Sequence, residues 1–325
     1  MHLLIILSSA GLVVLTGWAA LRLMPRVRGW QRRRELQLLI LAAPVISLGL
    51  ALGGLHHFSG QTCFLGLPPW DYTLSVGLPL LMGFIALGAG FLGVFRLLLM
   101  HGLVARRGMR AGPDLQAKVD AIAQRMGARH PRVLVCADDR PLVLTFGLLG
   151  PTLLVSCWML ARLDGQELES VLAHELAHVA RRDYLVVCLA TVLRDAFFYL
   201  PTSWAAHRQL EAEKEYACDD LAVNLTGRPL ALASALGRVW QHGLGREVPC
   251  GGQALTGADG GGVEARITRL LARAPQSSGE GPTAVLPLGT GATALVGVVA
   301  AEIMNVAALL APIGCTHGMA LGKLF

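Results

Sequence analysis

Long apolar runs alternate with short arginine-rich segments over the first hundred residues. Residues 3–21 are apolar and nearly free of charge, and further runs follow at about 36–55 and 74–95. Each is long enough to cross a hydrocarbon core of roughly 30 Å as a helix. A fourth run lies at about 284–312. Between the third and fourth runs the pattern is that of a mixed domain. Pro113 and Asp114 open a helix with Leu115, Val119, Ile122 and Met126 along one face, closed near Gly127. Residues 132–137 and 142–156 are β-branched and apolar, interrupted at Gly147 and at Gly150-Pro151, and read as two or three short strands. Asp164 precedes Glu167 by three, a capping-box pattern that starts a helix at about 165–181, and Arg181 and Arg182 complement its C-terminal end. Residues 184–206 are apolar again, broken by Arg194-Asp195 and ended by Pro201; 210–220 is helical by composition.

Charge orients these elements. Arg22, Arg26, Arg28, Arg32, Arg33 and Arg34 lie between the first two runs, 56–73 has no Lys or Arg, and Arg96, Arg106, Arg107 and Arg110 follow the third run. The positive-inside rule then puts the N-terminus and the 56–73 loop outside, and everything after Arg106 up to the last run in the cytoplasm. The rival reading of 3–21 as a signal peptide fits poorly, because the positive charges follow the run. With 54% hydrophobic and 15% charged residues the chain is too apolar for a plain globular protein. Its formal charge of +6 sits beside the apolar runs, where it marks topology, and nucleic acid is not indicated as a partner. Cys136, Cys157, Cys188, Cys218 and Cys250 fall on the cytoplasmic side with no C-x-x-C pair and read as small buried residues. Cys63 and Cys315 are on the outer side, and their pairing is left open. Glu302 and Asn305 fall inside or near the end of the last run, where the carboxyl group is functional, paired, or close to the interface at the outer end of a span over 284–301.

The chemistry is concentrated in residues 172–178, which contain H-E-x-x-H inside a helical pattern. His174 and His178 lie one turn apart, so both imidazoles project from one face, as two nitrogen ligands to one zinc ion must. Glu175 beside them is placed to act as general base rather than ligand. Downstream, Glu211, Glu215 and Asp219 share a helix face at i, i+4, i+8. One Glu as third ligand and one Asp orienting a ligand imidazole would complete a catalytic site. If that ligand lies beyond residue 206, a single crossing by 184–206 would leave it about 30 Å away on the wrong side. That segment is therefore a surface-embedded or re-entrant hairpin, or core. Residues 243–262 are Gly-rich and read as a linker or loop. Residues 263–273 carry Ile267, Leu270 and Leu271 with Arg266, Arg269 and Arg273, either a basic amphipathic helix at the inner leaflet or a short solvated helix.

Residues 174–184, 215–220 and 144–151 resemble the BlaR/MecR-type membrane metallopeptidases, a likeness that covers roughly 1–312. The resemblance implies a gluzincin-like domain in which His174, His178 and Glu215 bind zinc, Glu175 is the base and Asp219 holds a ligand imidazole from behind. The E-x-x-x-D element also resembles the HtpX and CaaX-processing membrane proteases. Antibiotic-sensing members of the family continue into a large extracellular penicillin-binding domain, which this sequence of 325 residues does not include, so β-lactam sensing is not expected of it.

The reading is a mainly α membrane protein with about four transmembrane helices and a cytoplasmic α+β gluzincin-like zinc-protease domain. Its divisions are 1–105 for the N-terminal membrane domain, 106–280 for the protease, and 281–325 for the last span and a short outer tail. The expected function is zinc-dependent endoproteolysis near the cytoplasmic face of a bacterial-type cytoplasmic membrane, in regulatory signalling by cleavage of a repressor or of its own chain. HtpX-like quality control, or a non-catalytic scaffold or receptor with a structural zinc, are the alternatives. An extended substrate would add along the 142–156 strands. His207 and Tyr216 are candidate oxyanion donors by chain proximity alone. The lipid bilayer is a partner, and a homodimer is an admissible assembly.

Overall fold

The computed structural model describes residues 2–27, 29–59, 69–147, 150–243 and 260–273. They are mainly helical, with one four-stranded sheet. Two compact units emerge. The first takes in the described residues of 1–93 and 190–210, the second those of 94–189 and 211–281.

In the first unit α1 (His2–Leu23), a 3-10 turn (Met24–Arg26) and α2 (Trp30–Ser59) bury Val13, Met24, Ile40 and Leu41. α3 (Pro69–Arg107) begins in this unit. Its Leu80, Phe84, Leu87 and Phe91 recur at helical spacing along one face, and each is more than half exposed. The apolar runs of the sequence are thus parts of longer helices. The arginines expected in a loop at 32–34 lie in the first turns of α2, and Arg96, Arg106 and Arg107 lie within α3. Among the described residues no helix is long and apolar enough to cross a membrane, so the expected four spans are not supported. The fourth run, at 284–312, and residues 63, 250 and 315 lie outside the described residues.

The second unit is built around the sheet, whose strand order is β1-β2-β4-β3. β1 (Met109–Arg110) pairs antiparallel with β2 (Arg132–Cys136), β2 pairs parallel with β4 (Thr152–Ser156), and β4 pairs antiparallel with β3 (Val143–Phe146). Gly147 turns the chain out of β3 at φ 109°, and a Cβ there would meet the Gly150 carbonyl oxygen at 2.2 Å. Only glycine fits, which is why the apolar stretch breaks where it does. The strands alternate sides. Val133, Val143, Leu153 and Val155 join one core with α4 (Pro113–Met126), α6 (Gly165–Arg181), α9 (Pro229–Gly243) and α10 (Gly260–Arg273). Leu134, Phe146 and Leu154 form a second cluster on the opposite face, with Cys136.

α4 ends on Gly127 in the left-handed conformation, where the sequence places its stop. α5 (Cys157–Arg162) leads into α6, and its first residue, Cys157, is exposed rather than buried, because the strand has already ended at Ser156. α7 (Asp183–Ala196) and α8 (Pro201–Thr226) are separated by four residues, and α8 runs on well past the apolar segment 184–206. α10 departs from the leaflet reading. Its Val263 and Leu270 are buried in the protein core, and its arginines meet acidic residues of α8.

Candidate metal centre

α6 starts from a complete capping box. The Asp164 carboxylate accepts hydrogen bonds from the backbone N–H of Gln166 and Glu167, both at 2.8 Å, and Glu167 Oε2 accepts from the Asp164 N–H at 3.0 Å. These bonds satisfy amides that a helix start leaves orphaned. Glu167 is itself buried, and its other oxygen accepts from Ser234 Oγ of α9 at 2.6 Å, so the cap also ties α6 to α9. The helix is thereby held at its first turn, ahead of the residues that carry the chemistry.

Two turns on, His174 and His178 point from the same face, their ring centroids 4.9 Å apart and nearly perpendicular. α8 brings up Glu215, whose Oε2 lies 3.4 Å from His174 Nε2 and whose Oε1 lies 3.8 Å from His178 Nε2. One ligand atom from each of the three lies within 4.8 Å of the others. Both imidazoles present the opposite nitrogen to a carboxylate. His174 Nδ1 is 2.9 Å from Asp219 Oδ1, and His178 Nδ1 is 3.0 Å from Asp183 Oδ2. With Nδ1 turned to a carboxylate, the Nε2 atom of each ring is the one that would face a metal held with Glu215. Glu175 is buried, and its Oε2 accepts a hydrogen bond from Thr145 Oγ1 of β3 at 3.1 Å. His174 is closed off from solvent, whereas the side chains of His178 and Glu215 retain 16% and 26% of their exposure. Among the described residues, the centre is thus most exposed on the His178–Glu215 side.

The charges are strongly coupled. Burial opposes ionisation of Glu215, but His174 and the Arg266 guanidinium outweigh it and hold the carboxyl well below its ordinary range. Burial likewise disfavours a charged His174, yet Asp219 and Glu215 raise its pKa to about 9. These are two views of one set of contacts. Asp219 and Asp183 are lowered against their burial, the former by His174 and Arg266, the latter by His178 and Arg181. Burial and the Asp183 charge push the Cys218 thiol well above its ordinary value, so it stays protonated. Two imidazole nitrogens and one carboxylate oxygen, oriented by further carboxylates and open on one side, match the donor chemistry of a catalytic zinc.

Of the five residues expected from the sequence, His174, His178 and Glu215 bring ligand atoms together and Asp219 backs His174, while Glu175, next to His174 in the chain, accepts from Thr145. Glu211 instead pairs with Lys214 at 3.0 Å. Tyr216 lies beneath the Arg269 guanidinium, and His207 contacts Thr191. Four participants were missed. Asp183 reaches His178 because Arg182 adopts a left-handed φ of 55° and ends α6 one residue before α7 begins. Cys218 packs behind the same pair, its Sγ 3.2 Å from His178 Nδ1 and 3.3 Å from Asp183 Oδ2. Thr145 and Arg266 are the others. Thr145, Asp183 and Cys218 lie within the segments that carry the family resemblance, and the arginines at 266, 269 and 273 share a helix face that complements the acidic face of α8.

The family model for BlaR1 peptidase M56 matches residues 69–228, a stretch that holds every residue of the centre except Arg266. A protease HtpX homolog of Acidiphilium cryptum is 31% identical over 163 residues, 40% of this chain and 56% of the relative. The HtpX homolog of Gemmatimonas aurantiaca is 28% identical over 225 residues, 59% of this chain and 74% of the relative. HtpX homolog 1 of Streptomyces coelicolor is 32% identical over 176 residues, 43% and 57% of the two chains. The chain thus spans little more than half the length of the first of these relatives. The chain is similar to the BlaR1 M56 peptidases, over a stretch that includes the helices forming the centre, and to the HtpX proteases.

Proposed function

We propose that this chain is a zinc-dependent endopeptidase that cleaves protein substrates at the cytoplasmic face of a bacterial-type membrane. The observation that carries this reading is the convergence of His174 Nε2, His178 Nε2 and a Glu215 oxygen beside the buried carboxylate of Glu175. His174, His178 and Glu215 would hold the metal, with Asp219 orienting His174. When bound, zinc supplies Lewis acidity to the scissile carbonyl and to the attacking water. Glu175 takes the proton of that water and later passes it to the leaving amine as the peptide C–N bond breaks. The hydrogen bond from Thr145 to Oε2 would help orient the Glu175 carboxylate for that transfer. β3 pairs with β4 on one side and ends the sheet on the other, which favours an extended polypeptide adding there as a further strand.

Membrane anchorage is supported by the likeness to the BlaR1 and HtpX families and by the exposed apolar row of α3, although among the described residues no helix is long and apolar enough to cross a membrane. The arginine distribution puts the N-terminus outside and the protease residues inside, and the divisions 1–105, 106–280 and 281–325 belong to the same proposal. The favoured role is regulatory, a single defined cut in a repressor or in the chain itself. A broader quality-control role is the second reading, favoured by the relatives named as HtpX homologs. Proteomics of new termini in cells carrying wild-type or Glu175→Gln protein tests both. Termini confined to one substrate and lost in the variant support the regulatory role, many unrelated termini support quality control, and identical termini in the two strains refute proteolysis through Glu175.

A further inference from the structure

Arg266 lies outside the segment matched by the family model, yet its side chain is as deeply placed as the ligands themselves. Nε and Nη2 donate to the two oxygens of Asp219 at 2.8 and 2.7 Å, a bidentate fork. Nη1 lies 2.9 Å from Glu215 Oε2, and Nη2 lies 3.4 Å from His174 Nε2. One planar guanidinium thus touches a would-be ligand carboxylate, the carboxylate behind a ligand imidazole, and that imidazole. The fork has a fixed geometry, so it fixes the angle between two carboxylates one turn apart on α8. It also supplies positive charge where two buried anions would otherwise repel each other. Lys214 contributes at Glu215 Oε1, 3.4 Å away, but does not reach Asp219 by any contact seen here.

We propose that Arg266 is a positioning residue of the metal centre, aligning Glu215 directly and His174 through Asp219. The proposal rests on the zinc-site reading above. It makes α10 part of the centre although Arg266 lies 47 residues beyond Asp219. The rest of α10 has a separate task. Val263 and Leu270 seat the helix in the core, and Arg273 pairs with Asp220 at the far end of the contact.

The test uses the full-length chain in detergent, with zinc affinity measured by competition against a chromophoric chelator and cobalt(II) loading followed by visible absorption. Arg266→Met weakens zinc binding by about 10–100-fold and alters the cobalt spectrum. Arg266→Lys, which keeps the charge without the fork, falls between that variant and wild type. Arg273→Met leaves both readouts unchanged. Wild-type affinity and an unaltered cobalt spectrum in Arg266→Met overturn the proposal, whatever happens to thermal stability. So does an equal loss in Arg273→Met, which would assign the effect to docking of α10 as a whole. If Arg266→Met does not fold, wild-type affinity in Arg266→Lys overturns it instead. A wild-type chain that binds no zinc removes the function proposed above, and this role with it.

Discussion

Stripping the metal and raising the pH probes the coupling between His174 and its two carboxylates. In the metal-free protein His174 is fully buried, with Asp219 2.9 Å from one ring nitrogen and Glu215 3.4 Å from the other. Burial alone would favour the neutral ring, but the carboxylates prevail and raise the pKa to about 9 from the ordinary 6.5. A pKa raised on folding means the folded state binds the proton more tightly than the unfolded chain. The resulting stabilisation is complete below about 6.5 and disappears as pH rises through about 9. The gap corresponds to about 3 kcal/mol, counted once because the lowered Asp219 and Glu215 reflect the same contacts. Denaturant unfolding in chelator from about pH 6 to about pH 9.5 measures it. Metal-free wild type should lose stability across that interval, and His174→Asn should be flatter. With zinc present the trend should reverse, because the ligand imidazole must be neutral and each bound metal displaces its proton. Metal-free wild type that gains stability on going alkaline, or that tracks the variant, refutes the reasoning.

Two substitutions separate the scaffold from the chemistry. Asp164→Ala removes the side chain that caps two amides of α6 and should cost about 1 kcal/mol, read as a lower unfolding midpoint with zinc stoichiometry intact. Thr145→Val removes the hydroxyl held by Glu175 and should lower kcat/KM about tenfold without changing zinc content, with Thr145→Ser restoring it. Equal activity in Thr145→Val would mean that this contact does not orient the base.

What could be read in advance followed from local rules. The capping box, the glycine stop after α4, the strand break at Gly147 and the i, i+4 pairing of His174 with His178 are each fixed by a few neighbouring residues. Glu215 and Asp219 stood out because a helix repeats every 3.6 residues and a third ligand was required. Contacts between distant segments were harder. Thr145 is the one hydroxyl in β3, but it sits 30 residues before Glu175, and no local rule says that this strand packs against that helix. Asp183 depends on a left-handed Arg182, a conformation that arginine seldom adopts and that no local pattern announces. Arg266 was visible as one of three aligned arginines, but charge on a short amphipathic helix suits lipid headgroups and buried carboxylates equally. Only the tertiary structure chooses between them. The apolar runs gave the helices of the first unit but not their ends, since arginines compatible with a loop are equally compatible with helix interiors.

The central claim is that α6 and α8 together hold a single divalent ion. Elemental analysis of the purified full-length protein, wild type beside Glu215→Ala, tests it most directly. The account predicts stoichiometric zinc in the wild type and its loss from a folded Glu215→Ala variant. Wild-type protein free of zinc, or a variant that retains it with undiminished affinity, contradicts the account.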